Sequence, residues 1–213
     1  MIVPSDKEYI KTKRIKLGED TLSSKQNELA QWITDQWGID VLNVVYDPPN
    51  DLRGPRLQVI LEWKKEEKEF QDGCNFDKAK QAAIAHRVTD LYGDLNTDDL
   101  FVVFSSFEPI ARMEINDQVT QQDLERLLKE IGNPDLWTIH RCFSGTSFFF
   151  YSEAQKDTSE KAGLRRVYSD RYYELSSKYD ELGYLNKDTF WVVFDSKENF
   201  DDKYSGNWFN YDR

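Results

Sequence analysis

One stretch of this chain occurs twice. Residues 94–106 read DLNTDDLFVVFSS and residues 184–196 read YLNKDTFWVVFDS, aligned without a gap at an offset of 90 positions. Seven of the 13 positions are identical: Leu95/Leu185, Asn96/Asn186, Asp98/Asp188, Val102/Val192, Val103/Val193, Phe104/Phe194 and Ser106/Ser196. A self-match at fixed spacing constrains architecture more than any single motif, because both copies must build the same local unit. It says little about chemistry.

The segments before the two copies repeat in pattern rather than in letters. In 23–37, Leu29, Ile33 and Trp37 fall on one helical face, and Gly38 closes the helix. Strands are expected at 42–46 and 56–63, since Leu57, Val59, Leu61 and Trp63 alternate with mostly polar neighbours. Pro48, Pro49, Gly54 and Pro55 punctuate the loop between them. A second helix is expected over 77–92, with Ile84, Val88 and Leu91 on one side and Gly93 at its end. The continuous apolar run 100–104 reads as a central strand.

The second half follows the same order. Thr120 and Asp123 form an approximate capping box ahead of the stripe Leu124, Leu127, Leu128 and Ile131, and Gly132, Asn133 and Pro134 stop that helix. Strands 137–143 and 146–151 flank a Ser144–Gly145 hairpin turn. A fourth helix spans 163–182, and 190–194 closes the unit as a second central strand. Each half therefore reads helix, strand, strand, helix, strand.

A leading strand in each half, at 11–17 and at 111–115, would complete a βαββαβ unit. The first candidate carries four basic residues. The fold expected is α+β: a tandem duplication of ferredoxin-like halves with antiparallel sheets and helices packed on one face. The expected boundaries are 1–108, 109–199 and an aromatic extension, 200–213, docked on the second repeat.

Bulk properties narrow the function classes. Aromatics make up 14% of the chain, enough to build a core from large rings although apolar residues reach only 39%. A net charge of −11 disfavours nonspecific binding to nucleic acid or to an anionic membrane and suits a partner with a basic surface. The start has no apolar segment behind a basic one, and no run approaches a membrane-spanning length. With only Cys74 and Cys142 present, reduced thiols and a cytoplasmic setting are expected.

Candidate chemical groups are few. Asn96 with Asp98, and Asn186 with Asp188, suit turns, which bond to their own backbone, better than a cation site. His86 and His140 lack any metal-ligand spacing, so neither a metal nor a cofactor is expected. His140 and Cys142, two residues apart on a strand, share a face, yet no oxyanion site or orienting acid accompanies them. No phosphate-binding glycine pattern or nucleophile elbow is present. The Arg and Tyr residues of 165–173 read as a helix face, not a base-stacking surface.

The extension carries Phe200, Tyr204, Trp208, Phe209 and Tyr211. So many rings imply docking, as an added edge strand, with Trp208 and Phe209 packed and Tyr204 and Tyr211 partly exposed. The residues expected to bind are Tyr204, Trp208, Tyr211, His140 and Arg141. The function expected is non-enzymatic: binding or regulation of another protein, as in an inhibitor or a toxin-neutralising protein. The alternative is an enzyme or small-ligand binder with a pocket between the halves.

Overall fold

The structure, a computed structural model, describes residues 3–95, 97 and 99–213. Asn96 and Asp98 of the first repeat copy lie outside the described residues. The chain is α+β and forms two compact units, Met1–Ile110 and Ala111–Arg213. Among the described residues no helix is long and apolar enough to cross a membrane.

In the first unit, helices α1 (Lys7–Lys16) and α2 (Ser24–Trp37) precede strands β1 (Val41–Asp47) and β2 (Arg56–Leu61). A 3-10 helix, Lys64–Phe70, and a small hairpin of β3 (Gln71–Asp72) and β4 (Asn75–Phe76) follow. Helix α3 (Lys78–Leu91) and strand β5 (Phe101–Ser106) close the unit. Next come helices α4 (Glu108–Gln118) and α5 (Gln121–Ile131), then strands β6 (Leu136–Cys142) and β7 (Gly145–Phe150). Helices α6 (Glu153–Lys161) and α7 (Leu164–Ser176), strand β8 (Val193–Ser196), and helices α8 (Lys197–Tyr204) and α9 (Trp208–Tyr211) complete the chain.

The two main sheets have the orders β1-β2-β5 and β6-β7-β8. In each, the first pair is antiparallel and the second parallel. Both antiparallel pairs shift register at one place, between Val41 and Asn43 and between Leu136 and Thr138. The likeness extends to side chains that share no letters. Glu66 caps its own turn at Trp63 N–H and accepts Asp40 N–H at 3.2 Å. Gln155 caps Ser152 N–H and donates to Asp135 at 2.8 Å. Repeated Ser106 donates to Glu67 at 2.6 Å, and repeated Ser196 donates to Glu153.

Several expectations are corrected. The segments 11–17 and 111–115 are not strands. In α1, Tyr9 and Thr12 are buried three residues apart, with Glu8 in the first turn and Lys13, Arg14 and Lys16 in the last, the arrangement a helix dipole favours. In α4, Ala111 and Ile115 are buried four residues apart. The ferredoxin-like plan of all-antiparallel sheets is replaced by mixed sheets, because a helical crossover returns the third strand parallel to its neighbour. The repeated strands are edges rather than centres. Their burial alternates, with Val102, Phe104 and Ser106 inside and Phe101 exposed, and likewise Val192, Phe194 and Ser196 inside and Trp191 exposed. The apolar run is continuous because its outward positions, Phe101 and Trp191 among them, carry large apolar side chains that stay exposed.

Helices cover both sheet faces, not one. In unit 1, α2 and α3 enclose Leu29, Ile33, Val59, Leu61, Ile84 and Val88. On the opposite face Asn43 donates to Thr12 of α1 at 2.9 Å, and Tyr9 stacks on Phe107. In unit 2, α5 and α7 bury Leu124, Leu127, Tyr168 and Tyr172 against Ile139, Phe148, Phe150 and Phe194. The opposite face, with His140 and Phe149, lies under the C-terminal segment. The expected helix 163–182 ends at Ser176 and a short 3-10 turn, and α6 precedes it. Thr120/Asp123 forms the expected capping box, Ser23/Gln26 forms a second one, and Gly38 and Gly132 adopt the left-handed conformation that ends each helix.

Candidate functional site

The C-terminal segment is helical, not an added edge strand. Asn207 caps the short α9 by accepting Phe209 N–H, which turns Trp208 inward. Trp208 lies flat on the His140 ring, with centroids 3.9 Å apart, and contacts Phe200 at 4.1 Å and Phe149 at 5.2 Å. Tyr211 donates to Asp195 at 2.8 Å, and Tyr204 meets Tyr211 edge-on at 4.9 Å. Burial, and secondarily Asp195, raise the pKa of Tyr211. Phe209, expected to pack, is 66% exposed.

Four of the five residues singled out by the sequence, His140, Trp208, Tyr211 and Tyr204, thus share one cluster. They are occupied with each other. The fifth, Arg141, points to the other face and donates to the Asn116 carbonyl.

His140 and Cys142 do meet a carboxylate. His140 Nε2 donates to Asp212 at 2.8 Å, and the Cys142 thiol hydrogen-bonds to the same group. The effect on the thiol is the opposite of activation. Burial, then the neighbouring negative charge, push its pKa up to about 11. A nucleophile needs the thiolate, which this environment disfavours. Both cysteines are free, and His86 is exposed. Among the described residues no group of three metal-ligating side chains is assembled.

A second cluster, which the sequence did not reveal, lies at the other end of the β6–β7 hairpin. The turn is Phe143–Ser144, one residue earlier than expected, because Cys142 pairs with Gly145. Phe143 has φ +50°, a left-handed conformation that is costly for a bulky side chain. Its ring is 60% exposed, so core packing does not hold it there. Asn116 does. Its Nδ2 donates to the carbonyls of Phe143 at 2.8 Å and Gly145 at 3.0 Å. Its Oδ1 accepts from Tyr172 at 2.6 Å and Thr146 at 3.2 Å. Asn116 is 4% and Tyr172 1% exposed, so this is a buried hub. Burial raises the Tyr172 pKa to about 12, and the phenol stays a donor.

Beside this turn lie Trp191, 66% exposed, in the segment leading into β8, and Val193, 40% exposed, at the start of that strand. Pairing of Ser147 with Val193 sets that placement. Between them opens a cavity of about 260 Å3, lined by residues that include Ser144, Thr146, Tyr172, Thr189, Phe190 and Trp191. The repeated loop forms part of its wall through Leu185 and Asn186. Asn186 accepts Asp188 N–H at 2.8 Å, the turn chemistry expected of Asn-x-Asp. Unit 1 carries a cavity of about 460 Å3 that Leu57, Val88 and Leu95 help to line. By strand register and repeat, Leu57 and Leu95 occupy the positions of Thr146 and Leu185 in unit 2.

The sequence signal for the second cluster was the Ser-Gly turn alone. Asn116 is one asparagine in a helix and leaves no trace in any periodicity. No protein-family model, curated protein or solved structure matches the chain.

Proposed function

We propose that this chain is a non-enzymatic binding protein that acts in the cytoplasm by holding another protein. Its contact surface is the hairpin tip of the second unit, centred on Phe143 and Trp191. The observation that carries this reading is the Phe143 backbone. An aromatic residue held left-handed costs roughly 1–3 kcal/mol, and such strain persists where surrounding structure enforces it and function uses it. Here a buried asparagine enforces it, and the product is a fixed, exposed ring. Aromatic residues are favoured anchors at protein interfaces.

The contact is made by side chains rather than by strand addition. Immediately before β8, the Val192 N–H already donates to Ser169 at 3.1 Å and is not free to pair with an added strand. The net charge of −11 favours a partner with a basic surface and an association rate that falls with salt. Inhibition or neutralisation follows if the covered surface is the partner's working surface. We also read the two units as descendants of one duplicated ααββαβ unit, from their shared register shifts and equivalent polar contacts.

The test is partner capture from an extract of the source organism, followed by titration of the purified partner. A Phe143→Ser/Trp191→Ser double variant should weaken binding roughly a thousandfold, since two anchors of about 2 kcal/mol each are removed. Its melting temperature should stay near that of the parent. Equal affinity of parent and double variant would refute the assignment.

A further inference from the structure

The cavity beside the hairpin tip has a size and a polarity that specify an occupant. We propose that it is the socket for one indole side chain, a tryptophan supplied by the protein partner. This deepens the reading above and rests on it.

Size comes first. Sites for drug-sized ligands and cofactors run to roughly 300–1,000 Å3. At about 260 Å3, this cavity suits a group on the scale of a single large side chain. Its walls include the rings of Tyr172 and Phe190, which stack on each other with centroids 6.2 Å apart, and of Trp191 at the rim. Flat walls favour a flat occupant.

Polarity narrows the choice. Among the described lining residues Arg112 is the one charged side chain and none is a carboxylate that would attract a lysine or arginine. Within the lining, the hydroxyls of Ser176, Thr189 and Thr146 have already committed their hydrogens. Ser176 Oγ donates to the Tyr173 carbonyl at 3.3 Å, and Thr189 Oγ1 donates to the Asn186 carbonyl at 3.4 Å. Carbonyl oxygens only accept, so the hydroxyl is the donor in each pair. Thr146 likewise donates to the Asn116 amide oxygen, whose orientation is fixed by the two bonds from Nδ2. A hydroxyl carries one hydrogen and two acceptor lone pairs. These hydroxyls therefore present acceptors to an incoming group. Phenylalanine has no donor to offer them. The indole of tryptophan has a single N–H donor and no acceptor to clash with the lone pairs.

The experiment uses the full chain, isotope-labelled, with amide resonances followed by NMR. N-acetyl-tryptophanamide should shift Gly145, Thr146, Thr189 and Val193 in a saturable way. N-acetyl-1-methyltryptophanamide, which lacks the donor, and N-acetyl-phenylalaninamide should each bind about fivefold more weakly, the equivalent of one net hydrogen bond. Thr189 is exposed at the rim, so Thr189→Trp should fill the mouth and abolish the response while leaving the melting temperature unchanged. No response at those four amides, or equal responses to all three probes, overturns the socket. If that happens while the Phe143→Ser/Trp191→Ser variant still loses the partner, the socket alone is wrong. An indole response in a chain whose double variant keeps full partner affinity upholds the cavity and removes the interface.

Discussion

Replacing Asn116 with alanine should cost unit 2 more stability than its modest size implies. The side chain serves four partners. The two carbonyls it serves belong to an exposed turn and can regain water, so their loss is small. The hydroxyls of Tyr172, 1% exposed, and Thr146, 6% exposed, cannot. A buried polar group left without its partner costs about 1–3 kcal/mol. Two such groups give a loss of about 2–6 kcal/mol, against a total of about 5–15 kcal/mol for a typical domain. Tyr172→Phe removes one donor and leaves one acceptor position vacant, so it should cost only about 1 kcal/mol. Because the chain has two units, the readout must belong to the second. Hydrogen exchange of the peptide covering 136–150, measured against urea, meets that need. The double variant should show a coupling of about 0.5–3 kcal/mol, as expected of direct contacts in one network. A loss below about 1 kcal/mol for Asn116→Ala, or strict additivity with Tyr172→Phe, would refute the hub.

Phe143→Asn should raise the stability of unit 2 by up to about 1 kcal/mol, since asparagine accepts the left-handed conformation more readily, while weakening partner binding; melting and affinity measured together check both. Trp208→Ala should lower stability by about 2–3 kcal/mol, because the ring covers His140, Phe149 and Phe200 but stays partly exposed; denaturant titration reads the change. At pH 8, iodoacetamide should label exposed Cys74 and spare Cys142, whose pKa is about 11; equal labelling in peptide maps would contradict the protected thiol. Hydrogen bonds from Thr120, then the charge of Lys178, hold the Asp123 carboxyl far below its usual pKa. The stability it contributes is therefore complete above the unfolded value, about 3.9, and is lost as pH falls below it. Asp123→Asn should accordingly destabilise at pH 7 and flatten the acid limb of the stability curve below about pH 4.

What the sequence by itself determined was local. Helices α2 and α5 were legible because capping residues, apolar spacing and a terminal glycine are all encoded within about four residues of where they act. The repeat fixed the equivalence of β5 and β8 for the same reason. Strand direction, sheet edge and face coverage were decided by tertiary structure. A run such as LFVVF reads alike in a central strand and in an edge strand whose outward rings stay exposed, and only neighbouring strands distinguish them. The leading segments 11–17 and 111–115 were misread because five to seven residues contain too few turns to separate a helical period from a strand period. In the C-terminal segment, the rings gave the docking of Trp208. Whether helix or strand would dock them depended on the Asn207 cap and on the face of β6 and β7 that they cover. Asn116 is the limiting case. Its role exists only because a hairpin tip and a helix 27 to 56 residues away converge on one amide, and no local pattern can record that.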